Sequence, residues 1–315
     1  MRSGNGEKAF QPMNLRLALQ LACPRTWVAS ACPALFGVCY CAVKGFPLGA
    51  VKSIILTVAC ILLQSAVNTF NDYYDFVKGA DSAEDYVESS DSTLVYEDIN
   101  PKNALWLAVF FLAAGAVLGL LCCKGAVPLL IGAVGGAVVL LYSAGPLPIS
   151  YLPCGELISG FVMGGLIPLG IAGCADGMLH PTVLLWSLPF ILGIALIMMT
   201  NNGCDIEKDS RAGRRTLPRI LGREGTVWLY RVQCTMWLAM LAVLPVLLVG
   251  PVGLIGPVLA AVVGWKHFRR LLGTRLEPEK RVAQMKTIAI TNLFGNGAYV
   301  AALAIALLAG GLYGR

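Results

Sequence analysis

The sequence predicts an all-α membrane protein, a single domain over residues 1–315 whose chain crosses the bilayer nine times. Hydrophobic residues make up 57% of the chain and charged residues only 13%, whereas about a quarter of the residues of a soluble domain are charged. The apolar residues also come in runs long enough to span a bilayer, which takes about 20 residues of helix. Nine such runs are present, at about 26–43, 50–72, 103–123, 125–143, 156–175, 182–202, 226–249, 252–268 and 288–312.

The segments before and between these apolar runs are those expected of a chain that crosses the membrane repeatedly. Residues 1–24 alternate apolar with polar residues, and Arg16 interrupts any signal-peptide pattern, so we expect an amphipathic segment at the membrane interface. The loop 73–102 between runs two and three is rich in Asp, Glu and Ser, and loops of that length are usually functional or disordered. Gly250 and Pro251 form a turn signal that separates runs seven and eight.

The distribution of basic residues predicts the orientation of the runs. With a cytoplasmic N-terminus, 19 of the 24 Lys and Arg residues fall on the cytoplasmic side and only Lys44, Lys52, Lys124 and Arg315 fall outside. Loops rich in Lys and Arg stay in the cytoplasm. The same asymmetry accounts for the net charge of +6, so no nucleic-acid partner is expected. We expect an integral protein of a bacterial plasma membrane, with its polar motif loops in the cytoplasm.

Two polar motifs end the second and the sixth run. The first contains Asn68, Asn71, Asp72 and Asp75, followed by Lys78, Gly79 and Asp81. The second contains Asn201, Asn202, Asp205, Lys208 and Asp209, followed by Gly213. Both read Asn-x3-Asp with another Asp one helical turn later, which puts the polar groups on one helix face. We interpret 68–81 and 201–213 as a weak internal repeat.

The paired acidic motifs predict two Mg²⁺ ions that hold a diphosphate between them. Mg²⁺ sites usually supply one or two carboxylates, while phosphate oxygens and waters complete the octahedral shell. Carboxylates at a membrane boundary are costly to bury unless a cation accompanies them. The predicted metal ligands are Asn68, Asp72, Asp75, Asn201, Asp205 and Asp209, with the four aspartates as catalytic candidates and Asp81 and Glu207 just outside this set. The alternative is that the carboxylates only solvate helix ends.

Basic residues beside the motifs are candidates for binding the diphosphate. Lys78 follows the first motif, and Lys208, Arg214 and Arg215 lie in or directly after the second. Guanidinium groups stabilise a departing pyrophosphate through bidentate hydrogen bonds. We assign Arg219, Arg223 and the whole loop between runs eight and nine, which includes Arg281, to the positive-inside bias instead.

A third polar segment, 142–156, joins runs four and five. Glu156 is the only charged residue between Lys124 and Asp176. One explanation is a Pro/Gly turn with aromatic residues at the interface. The other makes Tyr142, Tyr151 or Glu156 part of a pocket for an acceptor substrate.

Together these motifs resemble the UbiA superfamily of intramembrane aromatic prenyltransferases, and among its branches the 1,4-dihydroxy-2-naphthoate prenyltransferases of menaquinone synthesis are the most similar. The resemblance covers nearly the whole chain. It rests on Pro24-Arg25-Thr26, Asn71-Asp72-Tyr-Tyr-Asp75 with Lys78-Gly79, Tyr142-x2-Gly145-Pro146-x-Pro148 with Gly155-Glu156, Asn201-Asn202-x2-Asp205-x3-Asp209, and Arg214-Arg215-Thr216-Leu217.

The resemblance implies nine helices around a central cavity, two Mg²⁺ ions, a polyprenyl diphosphate donor and an aromatic acceptor. It also implies that Asn68, Asp72, Asp75, Asp205 and Asp209 serve the metals, and that Arg25 is associated with the diphosphate. Two departures are visible. Gly203 and Cys204 stand where this branch usually carries an arginine before the aspartate, and residues 91–95 lack the basic residue expected after the first motif.

Three alternatives stay open. Prenyltransferases acting on 4-hydroxybenzoate or haem usually carry a Lys-Arg pair in the loop after run four, where this chain has Gly145, Pro146 and Pro148. A CDP-alcohol phosphotransferase would show an Asp-Gly-x2-Ala-Arg pattern, which is absent. A cation-coupled transporter, which belongs to a different class, would place its carboxylates near the bilayer midplane and not at one face.

Overall fold

The computed structural model of the chain describes residues 10–80 and 92–313. Residues 81–91, including the predicted outer ligand Asp81, lie outside the described residues. The α-helices of the described residues are α1 Leu15–Ala22, α2 Val28–Lys44, α3 Ala50–Val77, α4 Thr93–Tyr96, α5 Pro101–Cys122, α6 Ala126–Leu141, α7 Gly155–Phe161, α8 Ile167–Asp176, α9 Thr182–Trp186, α10 Leu188–Cys204, α11 Ile206–Arg211, α12 Leu217–Val249, α13 Ile255–Leu272 and α14 Arg281–Tyr313. A π-helical turn, Val162–Leu166, joins α7 to α8.

All nine predicted spans are present as helices. Five segments are long and apolar enough to cross a membrane, namely Ala50–Val77, Pro101–Cys122, Gly155–Asp176, Leu217–Leu272 and Pro278–Gly310. The bent pair Leu15–Thr26 and Val28–Lys44 adds a sixth. The shorter apolar helices α6 and α10 add two more, and Leu217–Leu272 contains both α12 and α13, which gives nine. The predicted all-α, polytopic fold is therefore confirmed for the residues the structure describes.

Three helices extend further into the polar loops than the hydropathy predicts. Helix α3 continues to Val77, so the first motif is helical through Asp75. Helix α12 begins at Leu217, before the predicted start at 226, and contains a break at Gly222, where φ is 67°. Helix α14 begins at Arg281, before the predicted start at 288. Hydropathy misses these turns because their side chains are polar or charged, although their backbone continues the helix.

The N-terminal segment forms the amphipathic helix α1. The side chain of Asn14 caps it by accepting a hydrogen bond from the backbone N–H of Leu17 at 3.0 Å. Leu17 and Leu21 are buried, whereas Leu15 and Leu19 are exposed. The buried face packs against α4 and the start of α5, and a 61° bend then leads into α2. Helix α1 thus covers the loop end of α3, where the first motif lies.

The core lies where α2, α10, α12 and α14 meet. The ring of Phe36 lies 4.7 Å from that of Phe190 and 5.4 Å from that of Tyr299, measured between centroids. One turn further along α10, the amide of Asn292 donates to the carbonyl oxygen of Gly193 at 2.9 Å. A Cβ atom at Gly193 would lie 2.4 Å from the Asn292 oxygen, so only glycine permits this contact. This packing holds α14 against α10, the helix that carries the start of the second motif.

Candidate active site

A cavity of about 1160 Å³ opens between the helices, and the two polar motifs lie at the same end of it. Its wall comes from the 3₁₀ turn before α2 and from α2, α3, α5, α6, the α7–α8 pair, α10 and α14. The polar end is lined by Arg25, Asn68, Asn71, Asp72, Asp75, Asn201, Asn202, Asp205, Lys208, Arg214 and Arg281. The remaining wall is apolar and rich in glycine, with side chains from α5, α6 and α8.

The first motif occupies the last turns of α3, and its carboxylates are buried instead of facing water. Asp72, only 4% exposed, accepts hydrogen bonds from the backbone N–H groups of Thr93 at 2.8 Å and Leu94 at 3.2 Å. Asp75 pairs with Arg214 and also accepts from the amide of Asn71 at 3.1 Å. The first motif therefore holds the N-terminus of α4 as well as the cavity wall.

Asn68 lies one helical turn before Asp72, and its side chain is already hydrogen-bonded to three other residues. Its amide nitrogen donates to the carbonyl oxygen of Ala22 and to the hydroxyl of Thr26, both at 2.8 Å. Its amide oxygen accepts from Gln64 at 3.1 Å. Asn68 thereby fixes the turn between α1 and α2, which carries Arg25, against the cavity.

The second motif surrounds the junction of α10 and α11. Asp205 accepts two hydrogen bonds from the Nε atom of Arg281, at 2.9 and 3.1 Å. Asp209 accepts from the hydroxyl of Thr216 at 2.9 Å and lies 3.8 Å from Arg214. Burial raises the pKa of Asp209 to about 6, although the positive charge of Arg214 opposes the shift. Asp209 does not line the cavity itself but stands directly behind Arg214.

Arg214 connects the two motifs. Its guanidinium pairs with Asp75 of the first motif and Asp209 of the second, and it lies 4.9 Å from the ring centre of Tyr151. Burial alone would lower the pKa of Arg214, but the carboxylates of Asp75 and Asp209 raise it above its usual value. The Nε atom of Arg214 is buried and has no hydrogen-bond partner among the described residues.

Arg281 was missed by the sequence analysis, and its assignment to the positive-inside bias is wrong. It is only 5% exposed, lines the cavity, pairs with Asp205 and also donates to the amide oxygen of Asn201. It supplies a guanidinium to the position next to Cys204, where the sequence lacked the arginine expected before Asp205. The chain thus provides this charge from α14 and not from α10.

A third polar cluster lies where α7 meets α10. The amide of Asn202 donates to Oε1 of Glu156 at 2.8 Å, and its oxygen accepts from Asn201 at 3.2 Å. Glu156 is 3% exposed, and its Oε2 atom has no partner among the described residues. Tyr142 and Ser159 line the cavity beside this cluster, although Glu156 itself stands behind the wall.

Comparison with known proteins decides the family. A profile of the UbiA prenyltransferase family matches residues 30–293, which is most of the chain. The chain belongs to the UbiA prenyltransferase family. It is therefore a membrane-embedded enzyme that transfers prenyl groups.

Relatives and solved structures agree with this family. The chain is 34% identical to the 1,4-dihydroxy-2-naphthoate octaprenyltransferase of Bacillus subtilis over 72% of this chain and 73% of that protein. It is 30% identical to the human UbiA prenyltransferase domain-containing protein 1, over 55% of this chain and 51% of that protein. A UbiA homologue from Aeropyrum pernix K1 has the same fold, with a TM-score of 0.65 over 88% of this chain and 97% of that chain at 18% identity. A homologue from Archaeoglobus fulgidus bound to GPP and Mg²⁺ gives a TM-score of 0.61 over 91% of this chain and 99% of that chain at 16% identity.

Not every predicted site residue of this UbiA family member faces the cavity. Lys78 donates to the carbonyl oxygen of Ser143 at 3.0 Å and lies 5.1 Å from the ring centre of Tyr151, outside the cavity wall. The side chain of Arg215 is exposed, and its backbone N–H donates to the carbonyl oxygen of Tyr151 at 2.9 Å. Glu207 is bound by Arg223 at 2.7 Å. The substrate-binding roles predicted for Lys78 and Arg215, and the place of Glu207 just outside the metal ligands, stay predictions.

The donor set of the UbiA cavity suits a metal that shares its ligands with phosphate. Among the residues described, no three His, Cys, Asp or Glu side chains come together as a metal-binding group. Asp72 and Asp75 stand on α3 and Asp205 on the end of α10, so each side offers only one or two carboxylates. Mg²⁺ commonly takes that many from protein and completes its shell with phosphate oxygens and waters. The unpaired Nε donor of Arg214 is also suited to a phosphate oxygen.

Proposed function

We propose that this prenyltransferase transfers the polyprenyl group of a polyprenyl diphosphate to 1,4-dihydroxy-2-naphthoate, with release of diphosphate and carbon dioxide. The observation that carries the proposal is the division of the cavity, which has three carboxylates at one end and an apolar wall elsewhere. A donor with a diphosphate head and a hydrocarbon tail matches that division. The similarity to a 1,4-dihydroxy-2-naphthoate octaprenyltransferase supports this choice of acceptor.

The polar end would hold the diphosphate together with two Mg²⁺ ions. The residues proposed to hold the ions are Asp72, Asp75 and Asp205, with the amide oxygens of Asn68 and Asn201. Asp209, predicted as a further ligand, stands behind Arg214 and would fix that guanidinium beside the diphosphate. The Archaeoglobus fulgidus homologue bound to GPP and Mg²⁺ supports this pairing of metal and prenyl diphosphate. When bound, magnesium supplies Lewis-acid chemistry by drawing charge onto the phosphoryl oxygens.

The buried guanidinium groups stabilise the charge that develops on the leaving diphosphate. Arg214 and Arg281 are fixed beside the carboxylates, and Lys208 and Arg25 line the same end of the cavity. Fixed cations in a site with little water stabilise developing negative charge without reorganising, which lowers the barrier to breaking the allylic C–O bond. Diphosphate leaves with the electron pair of that bond.

The apolar wall protects the allylic cation that remains. Leu63, Leu112, Leu129, Ile131 and Ile167 all line the cavity beyond the polar end. Exclusion of water prevents hydrolysis of this reactive carbon. The long isoprenyl tail would lie along the same wall.

The third polar cluster is proposed to hold the acceptor. The hydroxyl groups of the acceptor would meet Tyr142, Ser159 and Asn202. Glu156, behind them, accepts from the amide of Asn202 and so fixes the orientation of that side chain. The ring carbon that bears the carboxylate forms the new C–C bond with the allylic carbon. The carboxylate then leaves as carbon dioxide, and the electrons of its bond restore the aromatic ring, so the step requires no external base.

The test is a reaction of the full-length protein in lipid nanodiscs with Mg²⁺, a polyprenyl diphosphate and several aromatic acceptors. We expect pyrophosphate release and a product whose mass equals the naphthoate plus the prenyl group minus carbon dioxide. Asp205→Asn serves as a variant expected to be inactive. A product formed on 4-hydroxybenzoate and none on the naphthoate would refute the choice of acceptor. Absence of pyrophosphate release with every acceptor would refute the proposed donor.

A further inference from the structure

A second cavity, of about 480 Å³, lies behind the N-terminal turns of α14, on the side away from the first. It is formed by the C-terminal ends of α10 and α13, by Tyr230 of α12, by the loop 273–277 and by the start of α14. The lining residues are Thr200, Tyr230, Arg270, Leu271, Gly273, Thr274, Arg275, Glu277, Lys280, Ala283, Gln284 and Thr287. None of these residues belongs to the site described above, so the cavity is distinct from the prenyl-transfer site.

The charged groups of this cavity are mostly basic. Arg270, Arg275 and Lys280 face it. Among the described residues the acidic side chain in its lining is that of Glu277, which pairs with Lys280 at 2.5 Å. No ion pair with Arg270 or Arg275 is present among the described residues. The cavity therefore carries an excess of positive charge, since the carboxylate of Glu277, which also interacts electrostatically with Arg275, faces three basic residues.

The floor of the cavity offers neutral hydrogen-bonding groups. The hydroxyls of Thr200 and Tyr230 are buried and lie 3.0 Å apart. The amide oxygen of Gln284 accepts a hydrogen bond from the thiol of Cys204 at 3.1 Å, while its amide nitrogen has no acceptor among the described residues. The hydroxyl of Thr200 also donates to the carbonyl oxygen of Leu196 at 2.8 Å, so the two hydroxyls bond within the protein. The donors left for a ligand are the guanidinium groups of Arg270 and Arg275 and the amide N–H groups of Gln284, and together they suit the several oxygens of a phosphate group.

From this arrangement we propose that the second cavity binds a phosphate-bearing anion. The geometry favours the headgroup of an anionic phospholipid over a soluble phosphate, because basic pockets between helices at the loop side of a membrane commonly take such headgroups. Val263 and Leu259, seven and eleven residues before Arg270, share its face of α13 and are 47% and 40% exposed. An acyl chain could follow this face into the bilayer.

An anion bound in the second cavity would also affect the first cavity, because the start of α14 lines both. Lys280, Gln284 and Thr287 line the second cavity, whereas Arg281 and Met285, on the other face of the same turns, line the first. Gln284 and Arg281 hold the end of α10 at Cys204 and Asp205 respectively. An anion bound by Arg270 and Arg275 would therefore stabilise the turn that presents Arg281. Binding itself does not depend on the proposed prenyl transfer.

Native mass spectrometry of the full-length protein, without prenyl substrates, tests the proposal. We expect the wild-type chain to retain phosphatidylglycerol in preference to phosphatidylcholine. Arg270→Gln/Arg275→Gln should lower the affinity for phosphatidylglycerol roughly 25-fold, because each basic residue near an anionic surface contributes about fivefold. The control Lys102→Gln/Arg269→Gln removes two exposed charges at the same end of the helices from outside either cavity and should retain the lipid. Arg270→Lys/Arg275→Lys should restore most of the affinity.

A second arm distinguishes the sources of the anion. The thermal midpoint is measured in phosphatidylcholine nanodiscs with added inorganic phosphate or pyrophosphate. If phosphate or pyrophosphate raises the midpoint of the wild type and not that of Arg270→Gln/Arg275→Gln, the ligand is a soluble anion. If only nanodiscs that contain phosphatidylglycerol raise the midpoint of the wild type, the ligand is the lipid headgroup. Equal lipid loss in the test and control variants, or no loss in either and no response to phosphate, would overturn the proposal. Failure of the prenyl-transfer assay would leave these results unaffected.

Discussion

The ion pair between Arg281 and Asp205 makes a quantitative prediction for the Arg281→Met variant. The two side chains are 6% and 11% exposed, so solvent screening of the pair is slight. Methionine keeps much of the volume of arginine but leaves the carboxylate of Asp205 without its two hydrogen bonds from Nε. Removal of one partner of a buried pair costs about 3–5 kcal/mol, because the remaining charge stays desolvated. We expect Arg281→Met to destabilise the protein by about that amount.

A double-mutant cycle identifies the origin of this loss. Asp205→Asn in the Arg281→Met background removes the carboxylate charge that has lost its partner. The double variant should therefore lose about 2 kcal/mol less unfolding free energy than the two single variants lose in sum. The measurement is reversible unfolding of the purified protein in detergent, without magnesium or diphosphate. Arg281→Lys, which keeps the charge but not the planar fork, should fall between wild type and Arg281→Met. Wild-type stability of Arg281→Met, or strict additivity in the cycle, would refute the buried ion pair.

Three further predictions concern the reaction and the core. Arg214→Gln should lower kcat about 100-fold, the typical loss for one donor that stabilises transition-state charge, and unchanged turnover would refute its role. Asn202→Ala should raise the KM for the aromatic acceptor about tenfold, by the loss of a hydrogen bond from a residue that lines the cavity, while the KM for the polyprenyl diphosphate stays unchanged. Gly193→Ala should destabilise the protein by about 1–3 kcal/mol in thermal unfolding, because its Cβ atom would collide with Asn292. Gly132→Ala, whose Cβ atom would meet nothing within 4 Å, is the control and should not destabilise it.

The sequence predicted the helices well, because apolar runs of sufficient length leave few alternatives to a spanning helix. It also predicted that Asp72, Asp75 and Asp205 would gather at one end, since the number of crossings between the motifs returns the chain to the same side. It failed at Arg281, because seven basic residues between 266 and 286 resemble a solvated loop. Only the packing of α14 against α10 distinguishes the buried arginine from its exposed neighbours.

The pairing of Asp72 with the backbone of Thr93 and Leu94 was also beyond the sequence. The two partners lie about twenty residues from the motif, across the acidic loop, and a backbone N–H group has no sequence signature. The carboxylates were expected at the water boundary, since local hydropathy ends there. They are buried because α1, α4 and α11 cover the helix ends, and such coverage depends on contacts between segments far apart in the chain.

The bridge formed by Arg214 has an evolutionary consequence. Asp75 belongs to the first copy of the repeated motif and Asp209 to the second, and both contact this one side chain. If the two halves arose by duplication, they could not afterwards drift independently at these positions. A change in the charge or length of Asp75, Asp209 or Arg214 would leave buried charge in the other two without a partner of opposite sign. Among related chains, positions 75, 209 and 214 should therefore be inherited and replaced as a set.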